Sequence, residues 1–300
     1  MTNLAGTTIG VIGLGLMGKP MARNLAKAGA KLVVNNRSQG VIEELAREGM
    51  TPAASPRAAA EASDAVICML SDTPALEQVL MGEGGVFNAA SLQGKLVVDM
   101  GTSKLLVTRM LAAKAQELGA DYVDAPVSGG TLGAEAGNLT IMAGGTDDAF
   151  ARALPILQVL GGKITHVGPT GAGQVAKAAN QVIVGLNIGA VAEALSLAQA
   201  AGVDPGKVRE ALGGGFADSR ILEVHGLRMV EGKFTPGARC PIQRKDMDQA
   251  MELAEHLGIE LPATALSRDL YDRVIAAGDG DLDHAGLIRA IRPDWPVNET

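Results

Sequence analysis

The string Gly13-Leu14-Gly15-Leu16-Met17-Gly18 follows an apolar run at residues 7–12 and precedes a helical pattern that continues to Lys27. G-x-G-x-x-G alone is a weak signal. Between a strand and a helix, near the N-terminus and inside a βαβ unit, it specifies a dinucleotide-binding turn. Gly13 permits the tight turn, Gly15 lets the backbone approach a pyrophosphate, and Gly18 lets helix and strand pack closely. The helix, expected to begin near Leu16, offers its positive end to the phosphates. An ordinary glycine-containing turn would not require this full context.

The alternation continues along the chain. Residues 31–35, 65–70 and 95–100 read as buried strands, and 121–123 and 139–143 as two more. Helical patterns lie between them, among them 105–118 and 148–160. Strands that are apolar throughout suit parallel crossovers covered on both faces, so an α/β Rossmann domain is expected over residues 1–167. Past Val167 no strand pattern follows. The breaker cluster Gly168-Pro169-Thr170-Gly171-Ala172-Gly173 opens a helical pattern at 174–201 that would span roughly 40 Å. Further helices fit 205–212, 218–231, 242–257, 262–277 and 285–292. The expectation is an all-α C-terminal domain, 168–300, joined by a long interdomain helix. The polar tail from Pro293 onward is expected to be loose.

Composition removes several classes of function. A formal charge of −7 offers no basic face to nucleic acid. Aromatics are only 2%, so Ala, Val, Leu, Ile and Met must pack the core. Cys68 and Cys240 form no disulfide framework and suit a reducing compartment, and residues 1–6 lack a signal-peptide pattern. A cytoplasmic protein is expected. The apolar stretch 182–201 is interrupted by Asn187, Glu193 and Gln199, which favours a buried helix over a membrane span. His166, His225, His256 and His284 lack metal-ligand spacing, and Asp279, Asp281 and Asp283 make an incomplete calcium loop, so no metal is expected. Serine-hydrolase chemistry would need a Gly-x-Ser-x-Gly elbow, which is absent.

The second strand ends at Asn35-Asn36-Arg37-Ser38. An NAD site usually has Asp or Glu here to accept from both ribose hydroxyls. This chain instead has Arg37 and Ser38, which suit a 2′-phosphate by charge and hydrogen bond. NADP is therefore expected over NAD, with Asn36 beside the same pocket. The alternative is that Arg37 stacks on the adenine or is a solvated loop residue.

Three later segments stand out: Asp124-Ala125-Pro126-Val127-Ser128-Gly129-Gly130, Gly171 through Asn180, and Arg244-Lys245-Asp246-Met247. With the glycine loop they occur in the order of four signatures, and the chain resembles the β-hydroxyacid dehydrogenase family over nearly its whole length. That family includes 3-hydroxyisobutyrate dehydrogenases and tartronate semialdehyde (2-hydroxy-3-oxopropionate) reductases. The resemblance implies a Rossmann domain followed by a helical one. It also implies hydride transfer between NAD(P) and a small β-hydroxyacid or its semialdehyde, in a homodimer or homotetramer.

The resemblance assigns residues, and their chemistry agrees. Ser128 with the amides of Gly129 and Gly130 looks like a clamp for a substrate carboxylate, since glycines expose amides and a hydroxyl adds one donor. Without the resemblance a polar turn would serve equally. Lys177 looks like the catalytic residue. Hydride transfer at a carbinol carbon requires a proton to move at its oxygen, which a lysine can supply while its charge stabilises an alkoxide. A lone helical lysine is usually solvated, but Val175, Ala176, Ala178 and Ala179 make small apolar flanks. Asn180, at i+3, suits the substrate hydroxyl or the orientation of the lysine.

Lys245 matches the family's late lysine reaching substrate and cofactor, though with Asp246 it could be a surface pair. Thr102 follows the strand ending at Asp99-Met100, near the cofactor in the family, where Gly101 replaces a frequent Ser. Leu70 and Ser71 are expected to line the cofactor through their backbone. Imine reductases share the fold but usually carry another residue at the Lys177 position. The chain is too short for the large helical domain of 6-phosphogluconate dehydrogenase. A succinic semialdehyde or glyoxylate-type aldehyde reductase of the same family is the nearest alternative, and a non-catalytic dinucleotide-binding module the alternative of another class.

Overall fold

The computed structural model describes residues 3–298, which divide into two compact units, one through Lys177 and one from Ala178. In chain order the first unit runs β1 (Thr8–Ile12), α1 (Gly18–Lys27), β2 (Lys31–Asn35), α2 (Gln39–Arg47), β3 (Thr51–Pro52), α3 (Pro56–Glu61), β4 (Ala65–Cys68) and α4 (Thr73–Met81). It continues with β5 (Leu96–Asp99), α5 (Leu105–Glu117), β6 (Asp121–Asp124), β7 (Val127–Ser128), α6 (Gly130–Ala136), β8 (Leu139–Gly144), α7 (Asp147–Leu160) and β9 (Gly161–Gly168).

The sheet order is β3-β2-β1-β4-β5-β6-β8-β7, with β9 on β8. Pairings from β3 through β6 are parallel, and β8 runs antiparallel to β6 and β7. Successive side chains of a strand point to opposite faces, and here both faces are core. Ile67 and Val98 enter one apolar cluster with Met21 and Leu25 of α1. Their neighbours Val66 and Val97 enter the other with Leu76, Leu80 and Leu111. This two-sided burial is why the strands read as unbroken apolar runs.

Three short or irregular strands, β3, β7 and β9, were not expected from the sequence. β9 starts on Gly161-Gly162 and alternates in exposure, the signature of an edge, so it lacks an apolar run. β7 resumes the edge of β6 beyond Ala125-Pro126, on the same side of β8. Helix α1 begins at Gly18 with Met17 as its cap, two residues later than expected, because positive φ at Gly13 (+93°) opens a longer turn.

Helix α8 (Ala172–Ala200) is continuous, and the compact units change over within it, after Lys177, ten residues beyond the Val167 boundary read from the sequence. Its first turn belongs to the first unit because Asp124 accepts from the amides of Gly171 (2.7 Å) and Gln174 (2.9 Å). By length and composition α8 would reach across a membrane, yet 44% of its most apolar window is buried in protein.

In the second unit α9 (Pro205–Leu212), α10 (Arg220–Glu231), α11 (Cys240–His256) and α12 (Pro262–Ala276) follow. Ile188, Ala192 and Leu195 of α8 pack with Met229, Met247, Tyr271 and Leu287. Two expectations change here. Residues 285–292 are not an α-helix; His284–Ala290 is a 3₁₀ segment, tightened where the Gly286 amide donates to the Asp283 carbonyl at 2.7 Å. The tail is not loose through Asn298: Trp295 is buried, its indole N–H donates to the Met229 carbonyl at 2.7 Å, and Asn298 donates to the Glu231 carbonyl. A single indole outweighs the polar composition around it. Glu299 and Thr300 lie outside the described residues.

Candidate active site

Strand order 3-2-1-4-5-6 changes direction between β1 and β4, and ligands of such sheets bind beyond the carboxyl ends of the strands at that point. The sequence-read residues of the first unit gather there. The glycine loop follows β1, Asn36, Arg37 and Ser38 follow β2, Leu70 and Ser71 follow β4, Thr102 follows β5, and Ser128 ends β7.

The loop's glycines have distinct structural reasons. A Cβ on Gly13 would lie 2.2 Å from the Met69 carbonyl, and one on Gly18 1.9 Å from the Gly13 carbonyl. A Cβ on Gly15 would meet nothing within 4 Å, so that stretch of backbone is open on the side where a pyrophosphate must approach. Helix α1 has no side-chain cap and no acid in its first turn, which leaves its positive end for an anion. A dinucleotide fits these donors. Asn36 has a further job: its Oδ1 accepts from the Leu14 amide at 3.0 Å, tying the loop to β2. Arg37 and Ser38 are exposed beside it, Leu16 is 68% exposed, and Ser71 donates to Asp72, the cap of α4, at 2.8 Å. A Cβ on Gly101 would sit 2.9 Å from the Leu70 carbonyl.

Lys177 is 7% exposed, and its Nζ donates to the Val127 carbonyl at 2.8 Å. The lysine is therefore held at the residue preceding Ser128. Gly129 (φ +127°) and Gly130 (φ +60°) follow at the start of α6, conformations that favour glycine. These residues all lie within the first unit. Asn180 and Lys245 belong to the second unit, on α8 and α11, and Lys245 pairs with Asp246 at 3.0 Å.

Beneath Lys177 lies a buried network that sequence reading missed. Ser103, next to Thr102, donates from Oγ to Asp99 (2.7 Å) and meets Thr108 (2.9 Å), and its amide donates to Gln174 Oε1 at 3.0 Å. Gln174 Nε2 donates to the Gly101 carbonyl at 3.0 Å, and the Gly101 amide to Asp99 at 3.0 Å. Burial pushes Asp99 up to about 7, with the charge of Asp124 adding to the rise; Ser103 and the Gly101 amide resist. Burial likewise pushes Asp124 up to about 6 against the amides of Gly171 and Gln174. The network anchors the turn that carries Lys177. Gln174 stands inside the Gly171–Asn180 segment, so its nearness to Lys177 was visible in the sequence although its partners were not.

A second cluster also escaped the sequence. His225, Asp283 and His284 place their ligand-type atoms within 4.8 Å of one another, across 59 residues of chain. The Arg228 guanidinium is ion-paired to Asp283 in the same place. The carboxylate also accepts from the amides of Gly237 (2.9 Å) and Ala285 (3.1 Å), which makes it an anchor for two loops.

Comparison with known proteins agrees with this geometry. Residues 8–168 match the family described as the NAD binding domain of 6-phosphogluconate dehydrogenase. Residues 171–291 match that described as NAD-binding of NADP-dependent 3-hydroxyisobutyrate dehydrogenase. The chain belongs to the β-hydroxyacid dehydrogenase family. It is 48% identical over 283 residues to 2-hydroxy-3-oxopropionate reductase of Escherichia coli (strain K12), covering 94% of this chain and 96% of that protein. It resembles the solved 3-hydroxyisobutyrate dehydrogenase of Mycobacterium tuberculosis with L-serine (TM-score 0.86, 30% identity, 95% and 99% covered). It also resembles Psf3, solved with NADP+ (TM-score 0.85, 25% identity, 94% and 99% covered). This β-hydroxyacid dehydrogenase is an NAD(P)-dependent oxidoreductase, as its family and domains require.

Proposed function

We propose that this chain interconverts 2-hydroxy-3-oxopropionate, or a similarly small anionic semialdehyde, and its hydroxyacid, with NADP as the preferred cofactor. The observation that carries this reading is the buried Lys177 ammonium held 2.8 Å from the Val127 carbonyl, one residue before Ser128-Gly129-Gly130. Bound nicotinamide supplies or takes the hydride. In the reducing direction Lys177 Nζ gives its proton to the carbonyl oxygen and becomes a neutral amine; in the oxidising direction it takes that proton back. Ser128 Oγ and the amides of Gly129 and Gly130 hold the substrate carboxylate, and Asn180 and Lys245 complete the substrate and nicotinamide contacts. Gly13 through Gly18, Asn36, Leu70, Ser71 and Thr102 form the dinucleotide site, and Arg37 and Ser38 select the 2′-phosphate. The functional division falls between residues 1–167 and 168–300.

The name of the 48%-identical relative supports the substrate. Exposed Ile183 (65%) and Leu197 (72%) on α8 support a homodimer or homotetramer. Two buried free thiols, Cys68 and Cys240, suit the cytoplasm. A panel of small semialdehydes assayed with NADH and NADPH tests the reading. Turnover of 2-hydroxy-3-oxopropionate with NADPH favoured is expected; strong preference for NADH overturns the role given to Arg37 and Ser38. Lys177→Ala should bind cofactor normally and lose about 10²–10⁴-fold in kcat. Near-normal turnover by that variant overturns the mechanism.

A further inference from the structure

Asn180 and Lys245 stand on different helices of the second unit, yet one chain of hydrogen bonds joins them. Its middle members are buried: Gln181 is 7% exposed, Gln243 1% and Asp246 4%. Asp246 Oδ1 pairs with Lys245 Nζ at 3.0 Å, and Oδ2 accepts from Gln181 Nε2 at 2.6 Å. Gln181 Nε2 also donates to Gln243 Oε1 at 3.1 Å, and Gln243 Nε2 donates to the Gln181 main-chain carbonyl at 3.1 Å. Gln181 Oε1 accepts from Asn180 Nδ2 at 2.8 Å.

Two groups in this chain can only accept: the Asp246 carboxylate and the Gln181 main-chain carbonyl. The first requires the Gln181 NH₂ on its side. The second requires the Gln243 NH₂ on its side, so Gln243 offers oxygen to Gln181. Both conditions turn Gln181 Oε1 toward Asn180, whose NH₂ must then meet it. Reversing Gln181 would set its oxygen against Asp246 Oδ2 and Gln243 Oε1, and its NH₂ against that of Asn180, in a buried place. The amide of Asn180 is thereby oriented with Nδ2 toward Gln181 and Oδ1 on its other side.

We propose that Gln181 is a positioning residue that holds Asn180 with its oxygen toward the hydroxyl of the substrate, while Asp246 sets Lys245 from the other end of the same chain. This rests on the reading that Asn180 contacts substrate. An acceptor there favours a ligand whose hydroxyl donates, so the device contributes to selectivity for hydroxyacids.

A double-mutant cycle tests it. Gln181→Met keeps the shape and removes the polar relay; kcat should fall about tenfold, with the Kd for NADPH unchanged. In Asn180→Ala with Gln181→Met, kcat should lie within about twofold of Asn180→Ala alone, because Gln181 acts through Asn180. Multiplying losses, or an unaffected Gln181→Met, overturn the proposal. Side-chain amide exchange by NMR reads the same relay without turnover. The Asn180 NH₂ should exchange slowly in the parent protein and fast in Gln181→Met, and equal rates overturn it. If the parent protein turns over no semialdehyde while its Asn180 amide is protected, the functional reading fails and the relay stands.

Discussion

Two buried carboxylate sites, one in each unit, use the same residue type to opposite ends. Asp99 and Asp124 lie under the turn bearing Lys177 and are met by a hydroxyl, a side-chain amide and main-chain amides. Burial wins, and they are pushed up to about 7 and about 6. Asp283 is fully buried too, and burial alone would raise it. His225, His284 and Arg228 outweigh burial and hold it well below the ordinary carboxylate range. The difference shows that burial does not set the charge of an acid; the charge of its partners does. A carboxylate that must anchor loops is given a guanidinium. The pair under the turn bearing Lys177 is given neutral donors instead.

The two sites predict opposite pH slopes. A folded-state value raised to about 7 means the folded protein keeps a proton that the unfolded chain has lost, so the stability owed to Asp99 is present below about pH 4 and lost by about pH 7. Asp283 is the reverse: its contribution is present above about pH 4 and is lost as the pH falls further.

The largest expected effect breaks the anchored site. Asp283→Ala leaves Arg228 without its ion pair and frees two loops, and should cost about 3–5 kcal/mol in urea unfolding at pH 7. A loss below 1 kcal/mol would mean that the loops hold themselves. Next comes Asp99→Asn, which cannot ionise. It should flatten the fall in stability between about pH 4 and 7, removing a slope worth on the order of 2–4 kcal/mol across that window. An unchanged slope would assign the pH dependence to other groups.

Asp124→Asn should cost about 1–2 kcal/mol, since one acceptor for the Gly171 or Gln174 amide becomes a donor. Because those amides start α8, kcat should fall with it while the Kd for NADPH holds. Smallest is Trp295→Phe, about 1 kcal/mol for one neutral hydrogen bond, measured as a shift in Tm. It gauges how far the charged sites stand above an uncharged one.

Much of the molecule follows from local pattern. The glycine loop, the succession of the main strands along the chain and the run of α8 were legible because all three depend on neighbours in sequence: backbone freedom at Gly13, a buried strand every thirty residues or so, apolar spacing along a helix. Lys177, Ser128 and Asn180 stood out for their motifs and small flanks. What stayed hidden has long sequence separations. Ser103 meets Gln174 across 71 residues, Gln181 meets Asp246 across 65, and Trp295 reaches Met229 across 66. The aspartates at 279, 281 and 283 read only as an incomplete calcium loop, and only folding brought Arg228 and the His225 imidazole to Asp283. The sequence by itself determined that a dinucleotide site forms, because a turn is a property of adjacent residues. Which acids stay charged, which end of the Gln181 amide meets Asn180 and which aromatic pins the tail were decided by the tertiary structure, because a polar group's state depends on the groups packed around it.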